Sequence, residues 1–146
     1  MTTIHRSALV QYSCEDMFNL INDVDAYASF LPWCSKSEIL DKGDDFIVAS
    51  VEVSAAGVHK AFTTRNALKP YESISMEHVD GPFKQLKGEW TFSKLGDQGC
   101  KVELHLDFEV ESGLKAMLFG MLFNKVADKL VTAFSERAEQ IYGNRA

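Results

Sequence analysis

From Cys100 to Val110 the chain alternates. Val102, Leu104, Leu106, Phe108 and Val110 fall on one side of an extended backbone, and Glu103, His105, Asp107 and Glu109 fall on the other. A period of two with one apolar side predicts a strand in an antiparallel sheet, one face buried and one in water. Shorter stretches of strand-forming residues fill most of positions 35–110, set apart by turn residues. SKSEIL and DFIVASVEV flank DKGD, where Gly43 is available for a positive φ. HKAFTTRNAL follows Gly57 and stops at Lys69-Pro70, ESISMEHV stops at Asp80-Gly81-Pro82, and KQLKGEWTFSKL stops at Gly96-Asp97. With IHRSALVQY near the start, the pattern predicts six to seven antiparallel strands.

Elsewhere the apolar positions recur at helical spacing. Ser13, with Asp16 three residues on, reads as an N-cap before Met17, Leu20, Ile21 and Val24. Asp25 is placed to cap a second short helix through Phe30. Leu31 must end it, because the residue before Pro32 is pushed out of helical geometry. Ser112 is placed to cap a final helix that runs to Tyr142, with Gly143 just past its end. Some thirty residues make a rod of ~45 Å. Its second half carries a narrow stripe of Ala127, Leu130, Val131, Phe134, Ala138 and Ile141. Its first half is apolar almost all round. Met117, Leu118, Met121 and Leu122 form one side, read as facing the sheet, and Phe119 and Phe123 form a surplus side. One sheet with one apolar face must curl around such a helix. The expected fold is α+β, a helix-grip arrangement: a curved antiparallel sheet wrapped around a long C-terminal helix, with two short helices after strand 1, in a single domain over residues 1–146.

Charge and composition narrow the function. The formal net charge of −6 argues against broad nucleic-acid binding, and no DNA partner is expected. Three cysteines, Cys14, Cys34 and Cys100, show no paired spacing and predict reduced thiols and a cytoplasmic setting. MTTIHRSALVQY has no apolar run of the signal-peptide kind, and AMLFGMLF is far shorter than the ~20 residues of a membrane span, so no transmembrane segment is expected. His5, His59, His78 and His105 are scattered without metal-ligand spacing, and no nucleophile elbow, P-loop or dinucleotide fingerprint occurs. Cys34 has no histidine nearby in sequence and reads as a buried structural thiol. No metal, cofactor or catalytic residue is expected.

A surplus of large apolar side chains remains, concentrated in YASFLPWC (27–34), in DGPF (80–83) and on one face of the strands. It points to an adaptable apolar cavity that binds rather than catalyses. The candidate ligand-binding residues are Phe30, Pro32, Trp33, Phe62, Ile74, Met76, Phe83, Leu86, Trp90, Leu104, Phe108, Leu118, Met121 and Leu122. An enzyme of cyclase type would need polar groups inside, and only Arg65, Asn66, Tyr71 and His78 are candidates.

FLPWC, DGPFKQLKGEWTF, CKVELHLDFEV and AFSERAEQIYG, in that order, resemble the coenzyme Q-binding START-like family of the polyketide cyclase/dehydrase and lipid transport superfamily. They are most similar to its bacterial branch of ribosome-association toxins, and the resemblance runs from ALVQYS to IYG. It implies a hydrophobic tunnel that holds ubiquinone or a similar isoprenoid lipid in support of respiration, with transient membrane contact. For the bacterial branch it implies an alternative: binding the large (50S) ribosomal subunit, blocking its joining to the small one and so inhibiting translation initiation. It implies no catalytic residues. On so acidic a chain, ribosome contact would need a local basic face, either Lys84, Lys87, Lys94 and Lys101 or Lys115, Lys125 and Lys129. YASFLPWC would then roof one end of the tunnel.

Overall fold

The computed structural model describes residues 1–143. The chain runs β1 (Thr2–Val10), α1 (Cys14–Asn22), a 3-10 turn (Val24–Ala26), α2 (Tyr27–Phe30), β2 (Cys34–Lys42), β3 (Phe46–Ala55), β4 (Val58–Lys69), β5 (Ser73–Asp80), β6 (Phe83–Leu95), β7 (Gly99–Val110) and α3 (Leu114–Tyr142). The strands form one antiparallel seven-stranded sheet in the order β1-β7-β6-β5-β4-β3-β2. Strands β2 to β7 pair with their sequence neighbours, and β1 closes the order by pairing with β7, from Thr2 opposite Phe108 to Val10 opposite Cys100. Consecutive strands β1 and β2 therefore lie at opposite edges. The segment α1 to α2 must carry the chain across the concave side, where α3 also lies.

Local chemistry sets the element ends. The Ser13 hydroxyl oxygen accepts the Asp16 N–H at 3.0 Å, the expected N-cap. Leu31 is extended, at φ −96 and ψ 113, as its place before proline demands. Three expectations need correction. Asp25 does not cap a helix; its carboxylate accepts the Ile39 N–H at 2.9 Å and ties the 3-10 turn to β2. Ser112 is not the cap of α3, which begins at Leu114 after Gly113 at φ 111, with no side-chain cap. Gly43 is not in the left-handed region; a Cβ there would strike the Phe46 ring, so the glycine serves close approach instead. At the other end Gly143, at φ 77, donates its N–H to the Glu139 carbonyl at 2.9 Å and closes α3 as expected.

Alternation fills the inner face of the sheet with Val53, Ile74, Leu86, Trp90, Phe92, Val102, Leu104 and Phe108, all buried. The phase of α3 is the opposite of the one expected. Phe119 is 1% exposed and Phe123 is buried, whereas Met117, Leu118 and Met121 lie on the outside, Met121 61% exposed. Leu122 is half-buried at the edge of the core. The reason is shape. Phe83 and Phe108 present rings that receive Phe119 at 5.3 Å (from Phe83) and Phe123 at 4.9 and 4.8 Å, edge to face. Flat rings fill this gap with more buried area than Leu or Met would.

Candidate functional site

Phe62, Phe83, Phe108, Phe119 and Phe123 form a continuous set of ring contacts, with centroids 4.8 to 6.5 Å apart. This plug makes the interior solid beside the first turns of α3. Next to it lies an apolar cavity of about 90 Å³. Its walls are the inner faces of β3 to β7, the α3 residues Phe123, Val126, Leu130 and Phe134, and three residues of the bridging segment, Val24, Tyr27 and Trp33.

Six of the sequence-predicted site residues line this cavity: Trp33, Phe62, Met76, Leu86, Trp90 and Leu104. Ile74, Phe83 and Phe108 are packed core around it, the last two in the plug. Phe30 and Pro32 lie on a separate surface groove against α3, where the Arg137 guanidinium sits 4.7 Å over the Phe30 ring. Leu122 does not line the cavity, and the inward placement expected of Leu118 and Met121 is corrected by the phase of α3. Sequence reasoning missed Ala49, Val51, Val53 and Leu106, small and branched residues that look like ordinary strand core. It also missed Phe123, Val126, Leu130 and Phe134, which depend on the helix phase.

The segment YASFLPWC therefore does two jobs. Tyr27 and Phe30 clamp Phe134, with centroids 5.3 and 5.9 Å away, and Trp90 meets the same ring at 5.6 Å. Tyr27 and Trp33 face the cavity. The Tyr27 hydroxyl donates to the Ile21 carbonyl oxygen, and burial pushes its pKa far above the ordinary phenol value. It stays neutral at any physiological pH.

Two polar side chains are buried in the wall, Thr64 at 7% exposure and Asn66 at 6%, both on the inner face of β4. The Thr64 hydroxyl donates to Asn66 Oδ1 at 2.8 Å. The other polar candidates lie elsewhere. Arg65 points outward, 4.0 Å over the Phe46 ring, and Tyr71 is exposed at φ 67 against Phe18. His78, opposite Thr64 in register, stacks its ring edge on Phe83 at 5.8 Å, and its buried Nε2 has no hydrogen-bond partner among the described residues.

The thiols sit away from this wall. Cys34 is buried with its Sγ 3.5 Å from the Lys36 carbonyl, and burial raises its pKa. Cys14 and Cys100, far apart in sequence, meet across α1 and β7 with sulfurs 2.7 Å apart, a pairing that spacing could not reveal. Burial, then the neighbouring Cys14, raises the Cys100 thiol as well. A raised pKa leaves less thiolate at neutral pH, and the thiolate is the nucleophile. Iodoacetamide at pH 7 is therefore expected to label Cys34 in the native protein on the order of 100-fold more slowly than in urea. Equal rates in the two states would show an open, reactive Cys34.

On the outer surface, Lys84 pairs with Glu109 and Lys101 with Glu103, both at 3.9 Å. Lys115, Lys125 and Lys129 are exposed along α3 and make no ion pair among the described residues. They flank the exposed Leu114, Met117, Leu118 and Met121. No helix among the described residues is long and apolar enough to cross a membrane.

Known proteins share this architecture. The crystal structure of the ZhuI aromatase/cyclase from Streptomyces sp. R1128 superimposes with a TM-score of 0.83 at 20% identity, over 95% of this chain and 94% of that one. The ribosome association toxin RatA of Vibrio cholerae is 50% identical over 143 residues, 98% of this chain and 99% of its own. The mitochondrial coenzyme Q-binding protein COQ10 homolog B of Xenopus laevis is 29% identical over 144 residues, 95% of this chain and 59% of its own. Residues 10–135 match the family described as polyketide cyclase / dehydrase and lipid transport. With a sheet wrapped around one long helix and an apolar cavity between them, the chain belongs to that family.

Proposed function

We propose that the chain is a binding protein for a neutral hydrophobic molecule of the ubiquinone type, serving respiration from the cytoplasm by transient exchange with a membrane. The observation that carries this is the cavity: apolar on nearly every side, walled by both tryptophans, and lined, among the described residues, by no carboxylate, histidine, lysine or arginine. Acyl and proton-transfer chemistry need such groups within reach of the substrate, so the cavity suits holding better than converting. The Xenopus relative is named a coenzyme Q-binding protein, which agrees with this reading. At about 90 Å³ the space is smaller than the roughly 150 Å³ cavity that admits benzene. A quinone ring therefore requires the lining to open, and the half-buried Trp33, Met76 and Leu130, which stand outside the ring plug, are the side chains least hemmed in. Protein purified from its own host and extracted with organic solvent should release a quinone in near-stoichiometric amount by mass spectrometry. Extracts that contain only bulk phospholipid would sink the reading.

A second reading, action on the large ribosomal subunit, is favoured by likeness to the Vibrio toxin over 98% of this chain and by Lys115, Lys125 and Lys129 on α3, which make no ion pair among the described residues. Contacts of lysines with phosphates weaken steeply with salt. Co-sedimentation with large subunits at low salt, abolished when the three lysines become Glu, is its expected sign; sedimentation unaffected by those changes removes α3 as the contact.

A further inference from the structure

The cavity wall is apolar except at one place. Thr64 and Asn66 stand two apart on the inner face of β4, each more than nine-tenths buried. Burying an amide costs free energy unless its hydrogen bonds are made. Thr64 donates to Asn66 Oδ1 at 2.8 Å, while Asn66 Nδ2 makes no hydrogen bond among the described residues and, unlike His78 Nε2, is not shut away as a fully buried unpaired atom. The pair lines the cavity, so a ligand that fills this space comes within reach of the amide.

We infer that Asn66 is the polar anchor of the ligand site, donating from Nδ2 to a carbonyl oxygen of a neutral ring-bearing molecule, and that Thr64 positions it. This rests on the hydrophobic-ligand reading above and narrows it. The Thr64 hydroxyl occupies the acceptor end of the amide, so only the donor end is offered, and the ligand atom must be an acceptor. Its neutrality follows from the walls. With no cation lining the cavity, a carboxylate would be buried without a counter-charge, at a cost no apolar contact offsets. The site thus selects ketones and quinones against fatty acids and hydrocarbons.

Both tryptophans of the chain line the cavity, so their fluorescence reports its occupancy. Three probes separate the outcomes: a short-tailed ubiquinone, an alkylbenzene of matched tail length, and decanoate. Wild type is expected to bind the quinone most tightly and decanoate not measurably. Asn66→Leu, close in size, should weaken the quinone about tenfold, the effect of losing roughly 1.4 kcal/mol, while holding the alkylbenzene as well as wild type or better. That retained binding also shows that the variant is folded. Thr64→Val should weaken the quinone by a smaller factor, and Thr64→Ser should restore it, which a merely structural threonine would not require. An Asn66→Leu protein that binds quinone like wild type, or a wild type that prefers decanoate, overturns the anchor and leaves the cavity reading standing. Failure of wild type to bind either neutral probe removes both.

Discussion

Phe119→Asp is expected to unfold the protein, whereas Met121→Asp, only two residues on, is expected to leave its melting temperature within about 1–2 °C of wild type. Both replace a large apolar side chain on α3 with a carboxylate. The difference lies in what surrounds them. Phe119 is 1% exposed, with Phe83 5.3 Å and Phe62 6.5 Å from its ring centre, and no cation lies in that plug. A carboxylate there loses its hydration, finds no partner, and leaves a void among four other rings. Native stability of about 5–15 kcal/mol does not survive the sum. Met121 stands in water beside Lys125, one helical turn away, where a carboxylate stays solvated and gains a favourable i, i+4 neighbour. Circular dichroism melts of the two variants decide the matter. Equal loss in both would mean that the exposed side of α3 is covered in solution, and an unharmed Phe119→Asp would mean that the helix phase is wrong.

That contrast marks what the sequence could and could not tell. Strand alternation is written directly into β7, where every second residue is apolar, and the inner face from Phe62 to Phe108 was legible for that reason. The phase of α3 was not legible from residues 116–123 alone, because a segment apolar all round has no polar side to orient it. Its C-terminal half held the answer. Stepping back four at a time from Val131 through Ala127 reaches Phe123 and then Phe119, the residues that face the sheet. Local hydrophobicity alone places Leu118 and Met121 inward, against that continuity. Of the polar pair, Asn66 stood among the four polar candidates and Thr64 did not, and nothing local told Asn66 from Arg65. In TTRNAL a threonine and an asparagine look like any turn-proximal polar residues, and only the register of β4 against β3 and β5 puts them inside and Arg65 outside. The Cys14–Cys100 contact depends on docking α1 against β7, which no local pattern encodes.

Trp90 joins the fold to the cavity, and its removal is the sharpest test of both. The indole is 3% exposed, stands between Ile74 and Leu104 of the neighbouring strands, and meets the Phe134 ring edge to face at 5.6 Å. Trp90→Ala removes that packing and leaves a hole, at a cost of about 3–5 kcal/mol. For a chain of this length the melting temperature should fall by roughly 6–20 °C. The hole adjoins the existing cavity of about 90 Å³, so the two merge into one apolar space large enough for a small arene. Any molecule that binds the native state alone raises its stability by mass action. Benzene or indole added to Trp90→Ala should therefore recover several degrees of the loss and do little to wild type. A variant that melts like wild type would place Trp90 at the surface and shift the register of β6. One that is destabilised yet indifferent to benzene would mean that the core collapses into the gap. In that case the space between sheet and helix is a packing defect rather than a site.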